Sequence, residues 1–221
     1  MTEDHQSAAI FRGSLPGRDC ELLQSVDAAF SDAARRAGPR LACRVGCTQC
    51  CHGAFAIHAL DAARLRAGMA ELREDNPALA AAVQRRAEAW IAAQGAEFPG
   101  DRTTGALGQS AEEQARFAEF ANEAACPALD PESGRCDLYA WRPMTCRVFG
   151  PPVRAADENG VEGLGHCELC FLDAAPEEVA ACEMRLSHDL EAELVRATGD
   201  ATETVVAFAL LPAAVLRSAL H

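Results

Sequence analysis

The distribution of apolar and polar positions along the chain predicts a mainly helical protein. Apolar residues recur at helical spacing over residues 19–37, and Gly38-Pro39 ends this first helix. A second helix is predicted over residues 59–72. Asn76 as N-cap and Pro77 in the first turn begin a third helix that runs to residue 95. The sustained alternation of apolar and polar residues that a half-exposed strand requires does not occur.

Three further helices are predicted in the second half of the chain. Ser110 and Glu113 have the form of a capping box, which begins a fourth helix extending to about Ala124. A fifth helix follows Pro176, and its apolar face carries Val179, Cys182, Leu186 and Leu190. The last helix spans residues 204–220 and is broken near Pro212, because a proline inside a helix removes a backbone hydrogen bond.

Two irregular regions rich in glycine, proline and cysteine separate these helices, over residues 38–55 and 126–170. Residues 96–109 are interpreted as a polar linker without chemistry of its own. We therefore expect a single domain over residues 1–221. It is an irregular, mainly α domain in which two cysteine-rich loop regions fold around one or two metal centres. Residues 38–170 form the metal-binding region, framed by the N- and C-terminal helices.

Charge and composition narrow the classes of function. The 221-residue chain has a formal net charge of −13, which argues against nucleic acid or an anionic membrane as a general partner. All 20 basic residues are arginine, which excludes a Schiff-base lysine and a P-loop lysine. An acidic N-terminus without an apolar run and an odd count of 11 cysteines favour a cytoplasmic protein with reduced thiols. Clustered cysteines in that setting indicate metal binding or redox chemistry.

The first cysteine group has the spacing C-x3-C-x2-C-C. It consists of Cys43, Cys47, Cys50 and Cys51. Such short spacings let one loop turn several thiolates toward one centre, and thiolate sulfur suits zinc or iron–sulfur clusters. The surrounding segment contains four arginines and no acid, and local positive charge lowers the pKa of thiols and offsets the charge of a thiolate centre. These arginines are Arg35, Arg36, Arg40 and Arg44.

Two more groups bring the number of candidate metal ligands to nine. The second group is Cys126, Cys136 and Cys146, and the third is Cys167 and Cys170. The remaining cysteines, Cys20 and Cys182, lie in predicted helices. Because Cys182 lies on an apolar face, a packing role is favoured for it.

The ordered motifs C-x3-C-x2-C-C, C-P-x-L, G-x-C-x-x-Y and R-P-x-x-C-R resemble those of the YkgJ-type cysteine-cluster family, a zinc- or iron-chelating domain. The resemblance implies a metal-binding domain. By this resemblance, the cysteines of the first two groups are expected to be metal ligands. Cys167 and Cys170 are added as candidate ligands because of their C-x2-C spacing. Arg142 and Arg147 match the accompanying pattern. They either bind an anionic cofactor or substrate, or neutralise thiolates and donate to backbone carbonyls.

The identity of the metal stays open at this point. Adjacent cysteines tend to point in different directions, so Cys50 and Cys51 are expected to serve two centres. The C-x3-C-x2-C spacing, the basic surround and Cys126-Pro127 favour a [4Fe–4S] cluster with a redox or electron-transfer role. The two C-x2-C pairs could instead hold Zn²⁺, in a structural interaction module or in a metal-chelating or delivery protein. The sequence identifies no reaction, protein partner or small substrate, so whether the protein is an enzyme stays open.

Overall fold

A computed structural model describes residues 16–156, 162–186 and 188–212. The described chain contains eight helices, which are α1 (Pro16–Ala37), α2 (Ala59–Asp75), α3 (Pro77–Gln94), α4 (Ala111–Ala118), α5 (Met144–Val148), α6 (Pro176–Ala181), α7 (His188–Ala197) and α8 (Val206–Ala209). Its short strands are β1 (Ile57–His58), β2 (Gly100–Asp101), β3 (Ala106–Leu107), β4 (Val153–Ala156), β5 (Glu162–Gly165) and β6 (Glu203–Thr204). None of these helices is long and apolar enough to cross a membrane.

The chain divides into two compact units. The described residues of unit 1 fall within the ranges Met1–Val45 and Met144–Ala197. Those of unit 2 fall within Gly46–Pro143 and Thr198–His221. The sequence expectation of a single domain stays a prediction.

Unit 1 is built on the long helix α1, which buries Leu22, Val26 and Ala33. The helix ends at Ala37 because Gly38 has a φ of +53°, a left-handed conformation that ordinary side chains rarely adopt. Unit 1 also contains the short helix α5, the antiparallel β4–β5 hairpin, and helices α6 and α7.

Unit 2 contains the larger apolar core. Helices α2 and α3 are separated only by Asn76, whose side chain accepts a hydrogen bond from the Leu79 amide at 3.1 Å. Their inward faces pack with α8. Strand β1 pairs antiparallel with β6, and β2 pairs with β3. The core includes Leu65, Met69, Val83, Ile91, Val206 and Phe208.

The mainly α class and the first three predicted helices are confirmed, with boundaries shifted by a few residues. The interpretation of residues 96–109 as a linker is wrong. Phe98 and Leu107 are buried in the unit 2 core, and this segment forms the β2–β3 hairpin. Packing against residues far away in the sequence, such as Phe208, gives this polar stretch its structure.

The later helices differ more from prediction. The fourth ends at Ala118, because Phe120 turns into the core and Ala121 adopts a φ of +53°. The predicted fifth helix is two helices, α6 and α7. Between them the Met184 amide donates to the Pro152 carbonyl at 2.7 Å, so a tertiary contact replaces a helical one. The last helix begins at Val206, after β6, and residues 213–220 of the prediction lie outside the described residues.

Candidate metal centre

The backbone of unit 2 brings two cysteine-bearing segments side by side. Cys50 and Cys51 lie in a single 3₁₀ turn, Gln49–Cys51. The Cys51 carbonyl accepts a hydrogen bond from the Cys126 amide at 2.7 Å, and the Ala124 carbonyl accepts one from the Gly53 amide at 3.0 Å. These bonds hold the chain after Cys51 antiparallel to the chain before Cys126.

A tight turn then returns the chain to Cys126 with a third segment. Cys136 pairs antiparallel with Leu129, and the Asp137 amide donates to the Ala128 carbonyl at 2.8 Å. The Asp130 carboxylate closes the turn by accepting from the Ser133 hydroxyl, and this bond is the main reason why its pKa is lowered. Residues separated by ten positions in sequence are thus held on neighbouring backbone segments.

We name the thiols of these three segments the first thiol cluster. It consists of Cys50, Cys51, Cys126 and Cys136, all partly buried. The expectation that Cys50 and Cys51 serve two centres stays a prediction.

The electrostatics of the first thiol cluster show that its four sulfurs act on one another. The thiol–thiol hydrogen bond lowers the pKa of Cys50 and raises that of Cys51. Burial raises the pKa of Cys126 to about 12 and also raises that of Cys136. Repulsion from a thiolate at Cys50 raises the pKa of the other three further. A soft cation at this place would remove that repulsion and the protons with it.

Two arginines support the first thiol cluster. From α3, Arg86 donates through Nε to the Pro127 carbonyl at 2.8 Å and through Nη2 to the Asp137 carboxylate at 2.5 Å. It therefore holds the residue after Cys126 and the residue after Cys136 together. Arg142 lowers the pKa of Cys50 and Cys136 by its charge, although other contributions to these pKa values are larger.

Sequence reasoning identified Arg142 but missed Arg86, which lies in an ordinary-looking helix sequence. Arg142 lies 4.0 Å from the Tyr139 ring centroid and donates to the Tyr139 carbonyl at 2.9 Å. Arg147 belongs to unit 1. Its buried guanidinium donates through Nη1 to both carboxylate oxygens of Asp27, at 3.0 and 3.1 Å. The use of either arginine in cofactor binding stays a prediction.

Cys47 lies on a segment of unit 2 that contacts the turn before Cys136. A Cβ built on Gly134 would lie 3.5 Å from the Thr48 Cγ2 atom and 3.6 Å from the Gly46 backbone. The residues on both sides of Cys47 therefore pack against a position two residues before Cys136. Cys47 itself is partly buried.

The remaining predicted ligands belong to unit 1. They are Cys43, Cys146, Cys167 and Cys170. The C-x3-C-x2-C-C group is thus divided, since Cys43 belongs to unit 1 and its other three members to unit 2. All 11 cysteines lie within the described ranges, and none of them forms a disulfide.

The arginines near the first cysteine group are engaged by acidic groups and carbonyls. Arg35 and Arg36 both pair with Asp32, and Arg40 pairs with Glu178. Two carboxylates, those of Asp32 and Glu178, therefore offset part of the positive charge of the four arginines, and Arg44 donates to the Ala42 carbonyl.

The first thiol cluster fits a thiophilic metal by its donor chemistry. It supplies four sulfurs, which is the ligand number of tetrahedral zinc and of a [4Fe–4S] cluster. Within the ranges that the structure describes, no three histidine, cysteine or acidic side chains are already gathered closely enough to hold a metal ion.

Comparison with known proteins identifies the family. The family CxxCxxCC, described as "Putative zinc- or iron-chelating domain", matches residues 42–168, more than half of the chain. This protein belongs to that family, and cysteine-ligated metal binding is the property that the family description supports. No curated protein and no solved structure is similar enough to this chain to match it.

Proposed function

We propose that this protein carries an iron–sulfur cluster on the first thiol cluster and serves a redox or electron-transfer role. The observation that supports the proposal is that Cys50, Cys51, Cys126 and Cys136 lie on three segments that backbone hydrogen bonds hold side by side. Four thiolates are the ligand set that a [4Fe–4S] cluster requires. When bound, such a cluster supplies reversible one-electron transfer.

The chain's own residues would hold and tune this centre. The backbone bonds from Cys126 to Cys51 and from Asp137 to Ala128 fix three ligand segments relative to one another. The positive charge of Arg142 stabilises the thiolates of Cys50 and Cys136. Partial burial of the sulfurs limits access of water, which is one of the factors that set the reduction potential of a cluster.

Zinc is the second candidate, and the contact between Cys50 and Cys51 favours it. Two sulfurs bound to one tetrahedral zinc at the usual Zn–S length lie about 3.8 Å apart, which brings them into contact. A pair already in thiol–thiol contact therefore suits a single ion. This zinc centre would be structural, since four thiolates close its coordination sphere.

The test is the metal and acid-labile sulfide content of protein purified without oxygen, together with its visible spectrum. We expect iron with matching sulfide in the wild type, and its loss from Cys136→Ser. Cys20→Ser is the control, since Cys20 is exposed on α1. Zinc without sulfide, or full iron content in Cys136→Ser, would overturn the proposal.

A further inference from the structure

We propose that unit 1 binds a basic protein partner through a patch of exposed apolar side chains. We name this patch the apolar surface of unit 1, and it consists of Val45, Phe149, Leu169 and Leu172. These side chains are 78%, 39%, 44% and 71% exposed, in that order. Apolar side chains that are exposed together, rather than singly, mark sites of interaction. The proposal concerns a partner of unit 1 and goes beyond the proposed function.

Three segments of unit 1 carry this surface, and contacts between them bring it together. The Gly150 carbonyl, directly after Phe149, accepts a hydrogen bond from the Cys167 amide at 3.2 Å. A Cβ atom built on Gly150 would lie only 2.5 Å from the sulfur of Cys43, which precedes Val45 by two residues. Each segment therefore exposes an apolar side chain within two residues of its contact with another segment.

The turn that carries Leu172 has an unusual backbone. Phe171 has a φ of +57° and Asp173 a φ of +63°, and a bulky residue such as phenylalanine rarely adopts this left-handed conformation. The Phe171 side chain is buried at 4% exposure, and its amide donates to the Arg40 carbonyl at 2.8 Å. Leu172 lies between these two residues and faces solvent. Backbone strain that the surrounding structure maintains in this way is typical of functional sites.

Hydrogen bonds within the same turn fix both leucines of the surface. The Cys170 amide donates to the Cys167 carbonyl at 2.9 Å, and the Ala174 amide donates to the Phe171 carbonyl at 3.1 Å. Leu169 and Leu172 are therefore displayed from a backbone that is already ordered before any partner binds. Such a surface loses little conformational entropy on binding, which favours affinity.

Acidic residues beside the two leucines indicate the charge of the partner. Glu168 directly precedes Leu169, and Asp173 directly follows Leu172. Both carboxylates belong to exposed residues. A partner that places apolar side chains against the leucines and lysine or arginine beside them would match both the apolar and the charged part of this turn.

The charge of the whole chain selects among the possible occupants of the surface. The formal net charge is −13, so two copies of the chain repel each other, and so do the chain and an anionic membrane. A cationic protein is attracted instead. Arg44 lies next to Val45, and its guanidinium donates to the Ala42 carbonyl at 3.3 Å. The acidic side of the surface is therefore the side of the two leucines.

The first test measures binding of a defined probe, a fluorescent amphipathic peptide of leucine and lysine, to the full chain by fluorescence anisotropy. We expect saturable binding to the wild type, and about tenfold or greater loss of affinity in the double variant Leu169→Ser/Leu172→Ser, because the leucines lose their burial against the peptide. Tyr139→Ser is the matched control, since Tyr139 is an exposed large side chain of unit 2. Equal affinity of the double variant and this control, or no saturable binding to the wild type, would overturn the inference.

The second test separates the basic partner from the other occupants. The same peptide with glutamate in place of lysine should not bind, and added salt should weaken binding of the lysine peptide. In analytical ultracentrifugation we expect monomers for both the wild type and the double variant. A dimer of the wild type that the double variant does not form would assign the surface to a second copy and refute the proposal. Sedimentation of the wild type, but not of the double variant, with phosphatidylglycerol vesicles would refute it in favour of a membrane.

Both tests stay informative because the substitutions lie on the surface of the protein. Replacement of exposed leucines should leave the free energy of unfolding nearly unchanged, which urea unfolding of the double variant checks. The iron and sulfide content of the double variant should also equal that of the wild type. Failure of the proposed function shows only in that metal content, whereas failure of this proposal shows only in peptide binding and association.

Discussion

At the scale of single residues, Arg86 has the clearest influence on the first thiol cluster. Its guanidinium joins the Pro127 carbonyl to the Asp137 carboxylate, and each of these residues follows a candidate ligand directly. Arginine suits this place because its rigid fork of donors serves two acceptors at once. It contacts neither sulfur in these bonds, so it acts as a positioning residue.

Arg86→Met should weaken metal binding at the first thiol cluster by about 10–100-fold, the usual cost of losing an outer-shell partner. The measurement is metal competition against a chelator of known affinity. Arg86→Lys should give a metal affinity between those of the wild type and Arg86→Met. The lysine ammonium keeps the positive charge, but it lacks the planar fork of donors with which the guanidinium serves two acceptors. Arg85→Met is the matched control, since Arg85 is exposed on the same helix. An affinity of Arg86→Met equal to that of the control would contradict the positioning role.

At the scale of elements, α4 depends on its first turn. The Ser110 side chain accepts a hydrogen bond from the Glu113 amide at 3.2 Å, and the Glu113 carboxylate accepts from the Ser110 amide at 3.1 Å. Phe117 lies in the last turn of this helix and Phe120 lies just after it. Their rings stack with a centroid separation of 6.4 Å. The cap therefore fixes the path by which Phe120 enters the unit 2 core.

Ser110→Ala should lower the free energy of unfolding by about 0.5–2 kcal/mol, the usual cost of removing a serine N-cap. Urea unfolding at neutral pH measures this, with Gln109→Ala as the neighbouring control. The hydrogen bond from Ser110 lowers the pKa of Glu113, so the folded state favours the carboxylate. The contribution of Glu113 to the free energy of unfolding is fully present above the pKa that Glu113 has in the unfolded chain. It is lost as the pH falls through the lower pKa that Glu113 has in the folded protein. The difference between the wild type and Ser110→Ala should shrink over that acidic range, and a constant difference would contradict the coupling.

At the scale of the whole molecule, the three buried cysteines lie in unit 1, beside apolar side chains that α1 also buries there. The unit 2 core joins apolar side chains of α2, α3 and α8, including Leu65, Val83 and Phe208. The buried cluster around Cys170 in unit 1 has five fully buried members, of which three are cysteines. A metal ion that replaces part of a core contributes directly to folding.

Removal of metal with a chelator under reducing conditions should therefore affect the two units unequally. We expect hydrogen exchange of the amides in residues 167–182 to accelerate strongly, whereas the amides of α3 stay protected by their apolar core. Mass spectrometry of peptides from both regions measures this, and zinc addition should restore protection. Unchanged exchange in residues 167–182 after chelation would count against metal as a structural component of unit 1.

The sequence alone determined the features that depend on neighbouring residues. The first three helices follow from apolar periodicity, from Gly38 and from the Asn76 cap. The thiol donor chemistry and the family also follow from the sequence, because ligand type and short spacing are local properties. The break between α6 and α7 was not predictable in this way, since a bond from Met184 to Pro152 produces it.

The tertiary structure decided which cysteines lie in the same unit and on neighbouring segments. It divides Cys43 from Cys47, only four residues later, and it places Cys182 beside Cys167 and Cys170. It also brings Arg86 to the segments of Cys126 and Cys136. These groupings rest on backbone bonds and packing between distant parts of the chain. Spacing along the sequence limits which thiols can meet, and the fold selects among them.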